Sequence, residues 1–108
     1  MIDAMKLVIP EPQRFFCEAD EKHFFDWLNG IRAIRKVVGT PAGLELVIDV
    51  PIDKVSFYEL VGLLTRYNLD RTCLNPLCLE HPDAWFQDRR NYWYRYVFAS
   101  DDSLPSID

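Results

Sequence analysis

The chain reads as an α+β domain, a compact two-layer sandwich with two helices packed on one face of a largely antiparallel sheet. Three features predict this. The segment LELVIDV, Leu44 to Val50, alternates apolar and polar residues with the period of a half-buried strand. Before it stands GTPAG, Gly39 to Gly43, which is turn chemistry between two strand-like runs and so predicts a hairpin. Two segments flanking the hairpin repeat their apolar residues at helical spacing.

Met5 to Ile9, MKLVI, is a short apolar run closed by Pro10 and Pro12 and reads as the first strand. A loop follows, in which Phe15, Phe16 and Cys17 are expected to turn inward. Asp20 to Asn29 reads as a helix capped by Asp20, with Phe24, Leu28 and Ile31 on its buried stripe and Gly30 as a left-handed stop. Ala33 to Val38 supplies the second strand. In the third, Leu44, Leu46, Ile48 and Val50 share one face, and Glu45, Val47 and Asp49 share a wet, acidic one.

Pro51 ends that strand. SFYE, Ser56 to Glu59, has the form of a capping box, and the second helix runs on to about Tyr67. Its stripe is Phe57, Leu60, Val61 and Leu64, and Asn68 is its stop. Leu69 to Pro82 reads as irregular chain or a short helical turn, anchored by Leu74, Leu77 and Leu79.

The last segment, DAWFQDRRNYWYRYVFA, holds seven of the fifteen aromatic residues. Two periods compete in it. A strand puts Tyr92, Tyr94, Tyr96 and Phe98 on one face; a helix puts Tyr92, Trp93, Tyr96 and Val97 on one stripe. Aromatic richness favours the strand, which completes a split β-α-β-β-α-β order. Residues 1–100 are expected to form the single domain and 101–108 a flexible acidic tail.

Of the 108 residues 49% are hydrophobic, so one chain can bury one core. There is no run long and apolar enough to span a membrane, and the N-terminal run is too short for a secretory signal. Three cysteines, an odd and low number, suit a reducing cytoplasm better than a disulfide framework. The formal net charge of −5 argues against nucleic acid as a direct ligand, because phosphate binding rests on Lys and Arg, and it suits a basic protein partner.

Motifs for catalysis are lacking: no nucleophile elbow, no Walker lysine, no H-E-x-x-H. Cys73-x4-Cys78-x2-His81 has metal-like types but lacks a paired second half, so no metal or other cofactor is expected. Cys17 or Cys78 with His23 or His81 is the nearest approach to a nucleophile pair, and no local feature activates it. The expectation is a protein without enzymatic activity. The residues expected to meet a partner are Glu45, Asp49, Asp70, Glu80, Asp83, Trp85 and Asp88, acids and a ring of the kind that supply steering and contact area.

AWFQD followed by NYWYRYVF, Ala84 to Phe98, and YELVGLLTRYNLD, Tyr58 to Asp70, resemble the C-terminal halves of small acidic immunity proteins of bacterial polymorphic toxin and contact-dependent growth inhibition systems. The resemblance implies a cytoplasmic antidote, monomeric or weakly dimeric, that binds the C-terminal domain of a cognate toxin, commonly a basic nuclease. It carries over no contact residue. The alternative from the element order is a small ferredoxin-like regulatory domain that binds a metabolite or self-associates.

Overall fold

The structure, a computed structural model, describes residues 3–12 and 15–98. Its elements are β1 (Asp3–Ile9), α1 (Glu18–Gly30), β2 (Ile34–Thr40), β3 (Gly43–Val50), α2 (Lys54–Arg66), a 3₁₀ turn at Thr72–Leu74, α3 (Asn75–Leu79), a second 3₁₀ turn at Ala84–Gln87, and α4 (Tyr94–Val97). The α+β class holds. The expected tail, 101–108, lies outside the described residues.

The sheet is antiparallel with β3 in the centre, in the order β1-β3-β2. Alternation on β3 sets the layers. Leu44, Leu46 and Ile48 are buried and join Leu7, Ile9, Phe24, Leu28, Phe57, Leu60 and Leu64 in one core. The hairpin forms as expected, and its turn ends at Gly43, whose φ is +137°. Cβ at that position would collide with the carbonyl oxygen of Ile9 across the β1–β3 pair, so only glycine lets the strands meet there.

The helices keep their expected faces but not their expected caps. In α1 the helix begins at Glu18 after Cys17, which gives no side-chain cap. Asp20 sits inside the first turn and takes the Phe16 N–H at 3.1 Å and the Tyr67 hydroxyl at 3.3 Å, tying α1 to the end of α2. Phe15 packs inward, whereas Phe16 and Cys17 are exposed. Gly30 is not left-handed; the helix closes with the Ile31 N–H on the Leu28 carbonyl.

In α2 the cap is Asp53, whose carboxylate accepts from the Ser56 N–H at 3.0 Å. Ser56 is therefore not the cap. It is buried, and its hydroxyl oxygen accepts the Ala33 N–H at 3.2 Å, joining the helix start to the chain entering β2. Burial pushes the Asp53 carboxyl up, but hydrogen bonds from the Ser56 hydroxyl and amide outweigh it and hold the group below its ordinary value. At the far end Asn68 takes φ +58°, with Leu69 N–H on Leu64 O and Asn68 N–H on Thr65 O, a Schellman closure that agrees with its expected role as stop.

The expected final strand does not form. Residues 94–97 make one helical turn. Trp93 and Val97, four apart, are buried, and Tyr92 and Tyr96 are exposed, so the helical period prevails. Trp93 fills the core against Phe57 at 4.7 Å between ring centroids, and Phe86 packs on Phe57 at 5.3 Å. Phe98 is half-buried and lies on Tyr94 instead of closing the core. In the preceding stretch Leu74 and Leu77 are anchors as expected; Leu79 is exposed and Cys78 is buried in its place.

Two stability outcomes follow from these contacts. Trp93→Ala should cost about 3–5 kcal/mol in denaturant unfolding and Phe98→Ala clearly less; equal losses would mean that the two rings bury alike. Ser56→Ala strands the buried Ala33 N–H and should cost about 1–3 kcal/mol; a neutral result would show that this N–H finds another acceptor.

Candidate functional site

Helix α2 turns successive residues about 100° apart. Phe57 therefore enters the core while Tyr58 faces out, and Val55, one turn earlier, lies on the same exposed side. Tyr58 is 42% exposed, Tyr92 65% and Val55 66%. The Tyr58 and Tyr92 rings are parallel within 7°, with centroids 6.3 Å apart. Behind them Trp85 meets Tyr58 at 5.5 Å, and Trp85 in turn packs on Trp93 at 5.4 Å and on Phe86 at 4.8 Å. The outcome is an aromatic platform on the surface, braced from beneath by buried rings.

Charges edge this platform. Lys54 Nζ lies 4.8 Å over the Trp85 ring and 3.8 Å from Asp83 Oδ2. Asp83 also accepts the Trp85 N–H at 2.9 Å, which caps the 3₁₀ turn and fixes where the indole stands. His81 braces the same loop. Its Nδ1 accepts the Asp83 N–H at 3.0 Å, so in the neutral ring Nε2 carries the proton, and this nitrogen is 2.8 Å from the Ile52 carbonyl. The imidazole stacks on Phe86 at 3.6 Å. With both ring nitrogens and one face engaged, His81 has no nitrogen left to serve as a base or a ligand.

The seven expected partner residues do not converge. Asp83 and Trp85 belong to the platform. Asp88 follows closely in the chain, but Arg90 grips both its carboxylate oxygens, with the shortest contact at 2.8 Å. Glu45 and Asp49 lie on the outer face of the sheet, and that face is not acidic. A register irregularity between Ile34 and Lys36 leaves Arg35 and Lys36 both exposed. Arg35 Nε meets Asp49 Oδ1 in an ion pair that lacks the alignment of a hydrogen bond, and Lys6 and Lys36 flank Val47. Asp70 caps its own loop through the Thr72 N–H and hydroxyl. Glu80 is exposed beside an open cleft. Thus Asp49 and Asp88 are neutralised by arginines of their own chain, and among the described residues Glu45 and Glu80 have no ion-pair partner.

Tyr58, Tyr92 and Val55 were not among the expected contact residues. The signal was present in part: Tyr58 adjoins the buried stripe of α2, but the helical reading of the last segment put Tyr92 on one stripe with the buried Trp93, and only the strand reading separated the two.

Chemistry elsewhere is sparse. Among the described residues no group of three or more His, Cys, Asp or Glu could hold a metal ion. Burial pushes the Cys78 thiol up to about 12, and burial followed by the negative Asp70 does the same to Cys73, also to about 12. Such thiols are protonated and poor nucleophiles near neutrality. The cleft beside Glu80, lined by Asp3, Met5, Val50, Leu77 and His81 among others, is open and holds about 240 Å³, below the usual range of small-molecule sites. No helix of the described residues is long and apolar enough to cross a membrane. No protein-family description, curated protein or solved structure matches the chain.

The Arg90 pair has a measurable signature. Hydrogen bonds from the Arg90 side chain, then from its amide, hold the Asp88 carboxyl at about 2, below its ordinary 3.8. The folded group titrates below the unfolded one, so the pair stabilises the fold above 3.8 and that contribution is lost as pH falls toward about 2. NMR titration of Asp88 should give a midpoint near 2, and Arg90→Gln should return it toward 3.8; a midpoint unmoved by that substitution would rule out the pairing.

Proposed function

We propose that this chain is an immunity protein: a non-enzymatic, cytoplasmic antidote that binds and neutralises the C-terminal domain of a cognate bacterial toxin. The observation that carries this reading is the braced platform of Tyr58, Tyr92 and Trp85. Tyrosine and tryptophan are the side chains most enriched at binding hot spots, because they offer large contact area with few torsions to freeze. Here Trp85 is already held by Phe57, Phe86 and Trp93, and Tyr58 rests on Trp85 and beside Tyr92, so less ordering is required when a partner docks. Val55 extends the apolar area, and Lys54 with Asp83 gives it a polar rim.

The net charge of −5 supports a basic partner, and a nuclease is the class of toxin that such a surface would suit. In this reading the rings supply affinity and the overall field supplies steering. The carboxylates are not the anchors, since Asp49 and Asp88 are held by arginines of the same chain. Nucleic acid is not the direct ligand.

The test is protection in cells. The C-terminal domain of a candidate toxin encoded beside this chain is expressed with and without this protein. The protein should rescue growth, and Tyr58→Ala with Tyr92→Ala should weaken binding by about 30-fold or more, the scale of a hot-spot loss of about 2 kcal/mol, while the melting temperature stays near that of the parent. Equal killing with and without the protein would end the proposal. Full rescue by the double variant would move the interface elsewhere.

A further inference from the structure

We infer a second, independent site: an oxyanion-binding corner made by Arg71, Arg95 and Tyr96, suited to a phosphate monoester or inorganic phosphate. The guanidinium carbons of Arg71 and Arg95 lie 4.8 Å and 5.7 Å from the Tyr96 ring centroid. A tyrosine face attracts one cation readily. Two cations gathered on one ring raise the local positive potential, and an anion placed near both would lower the energy of the group.

No carboxylate of the described residues fills that role. The ion pairs among the described residues use Lys22, Arg35, Lys54 and Arg90, and neither Arg71 nor Arg95 is in one of them. The acid next to Arg71 in sequence, Asp70, directs one oxygen to the Thr72 N–H at 3.0 Å and the other to the Thr72 hydroxyl at 2.8 Å. Arg71 gives one N–H to the Thr65 hydroxyl at 3.3 Å, and its Nε is buried without an acceptor. The guanidinium thus brings a full charge into the corner with little of it met by the protein.

A tetrahedral oxyanion fits this arrangement better than a single carboxylate. It has more acceptor oxygens and up to two charges, so it can meet two guanidiniums that approach from different directions. Long polyanions are disfavoured: the chain has a net charge of −5, the corner brings together only two arginines, and nucleic-acid affinity grows with the number of phosphates neutralised. The corner shares no residue with the Tyr58–Tyr92 platform, and its occupancy does not depend on what that platform binds.

The experiment titrates the full chain, ¹⁵N-labelled, with inorganic phosphate, with methyl phosphate and with a short RNA oligonucleotide, each against chloride at matched ionic strength. The side-chain N–H signals of Arg71 and Arg95 should shift saturably with phosphate. Arg95→Gln, an exposed change, and Arg71→Gln should each weaken the response by about tenfold or more, the scale of a lost charge-assisted hydrogen bond. A stronger response to methyl phosphate would assign the site to phosphorylated small molecules, and an equal one to phosphate itself. Phosphate behaving like chloride, both variants responding like the parent, or RNA binding more tightly per phosphate would each overturn the inference.

Discussion

The contact on which the molecule depends is the edge-on packing of Trp93 against Phe57. The described chain after α2, up to residue 98, is built from short pieces: two 3₁₀ turns, five residues of α3 and four of α4. None is long enough to be stable by its own hydrogen bonds. What holds them is apolar area buried against α2, and the rings supply it, with Phe86, Trp93 and the half-buried Trp85 all reaching Phe57. The Trp93 indole N–H has no acceptor among the described residues, a cost that ring burial must exceed. The same seam sets the surface. With Phe57 fixed inward, Tyr58 has only the outward direction, and Tyr92, next to the buried Trp93, is placed beside it.

The parts of the fold that were legible in the sequence are those governed by one local period. LELVIDV has a single strong alternation, and its three buried residues are the expected ones. The stripe of α2 was equally clear, and Asn68 closes that helix as its residue type suggests. The capping error at Ser56 had a non-local cause: S-x-x-E and the overlapping D-x-x-S are both plausible starts, and the choice depends on Ala33, a residue 23 positions away whose N–H donates to the Ser56 oxygen. In the last segment two periods fit the same aromatic residues. The decision fell to Phe57, which offers a deep position to Trp93 and none to a flat row of four rings.

The expected site was less legible, for an electrostatic reason. An acid read from sequence shows its charge and not its counter-charge. Asp49 meets Arg35 only because the bulge in β2 presents that arginine on the outer face, and Asp88 meets Arg90 through a loop conformation with no sequence period. The total of −5 is therefore distributed unlike its simple reading. The sheet's open face carries three basic side chains beside two acids, the platform is nearly balanced at its rim, and Tyr96 sits among arginines. Net charge acts at long range on encounter, whereas the local pattern decides which surface is touched.

Gly43 has a bearing on how this chain can change over generations. Hairpin tips are ordinarily where sequences drift and loops lengthen. Here the carbonyl of Ile9 occupies the space of any side chain at position 43, and the backbone there is one that other residues resist. Drift is open to Pro41 and Ala42, both exposed, but it halts one residue later. A lineage that lost this glycine would have to part its first strand from the sheet's centre, so a surface loop is policed as strictly as the interior.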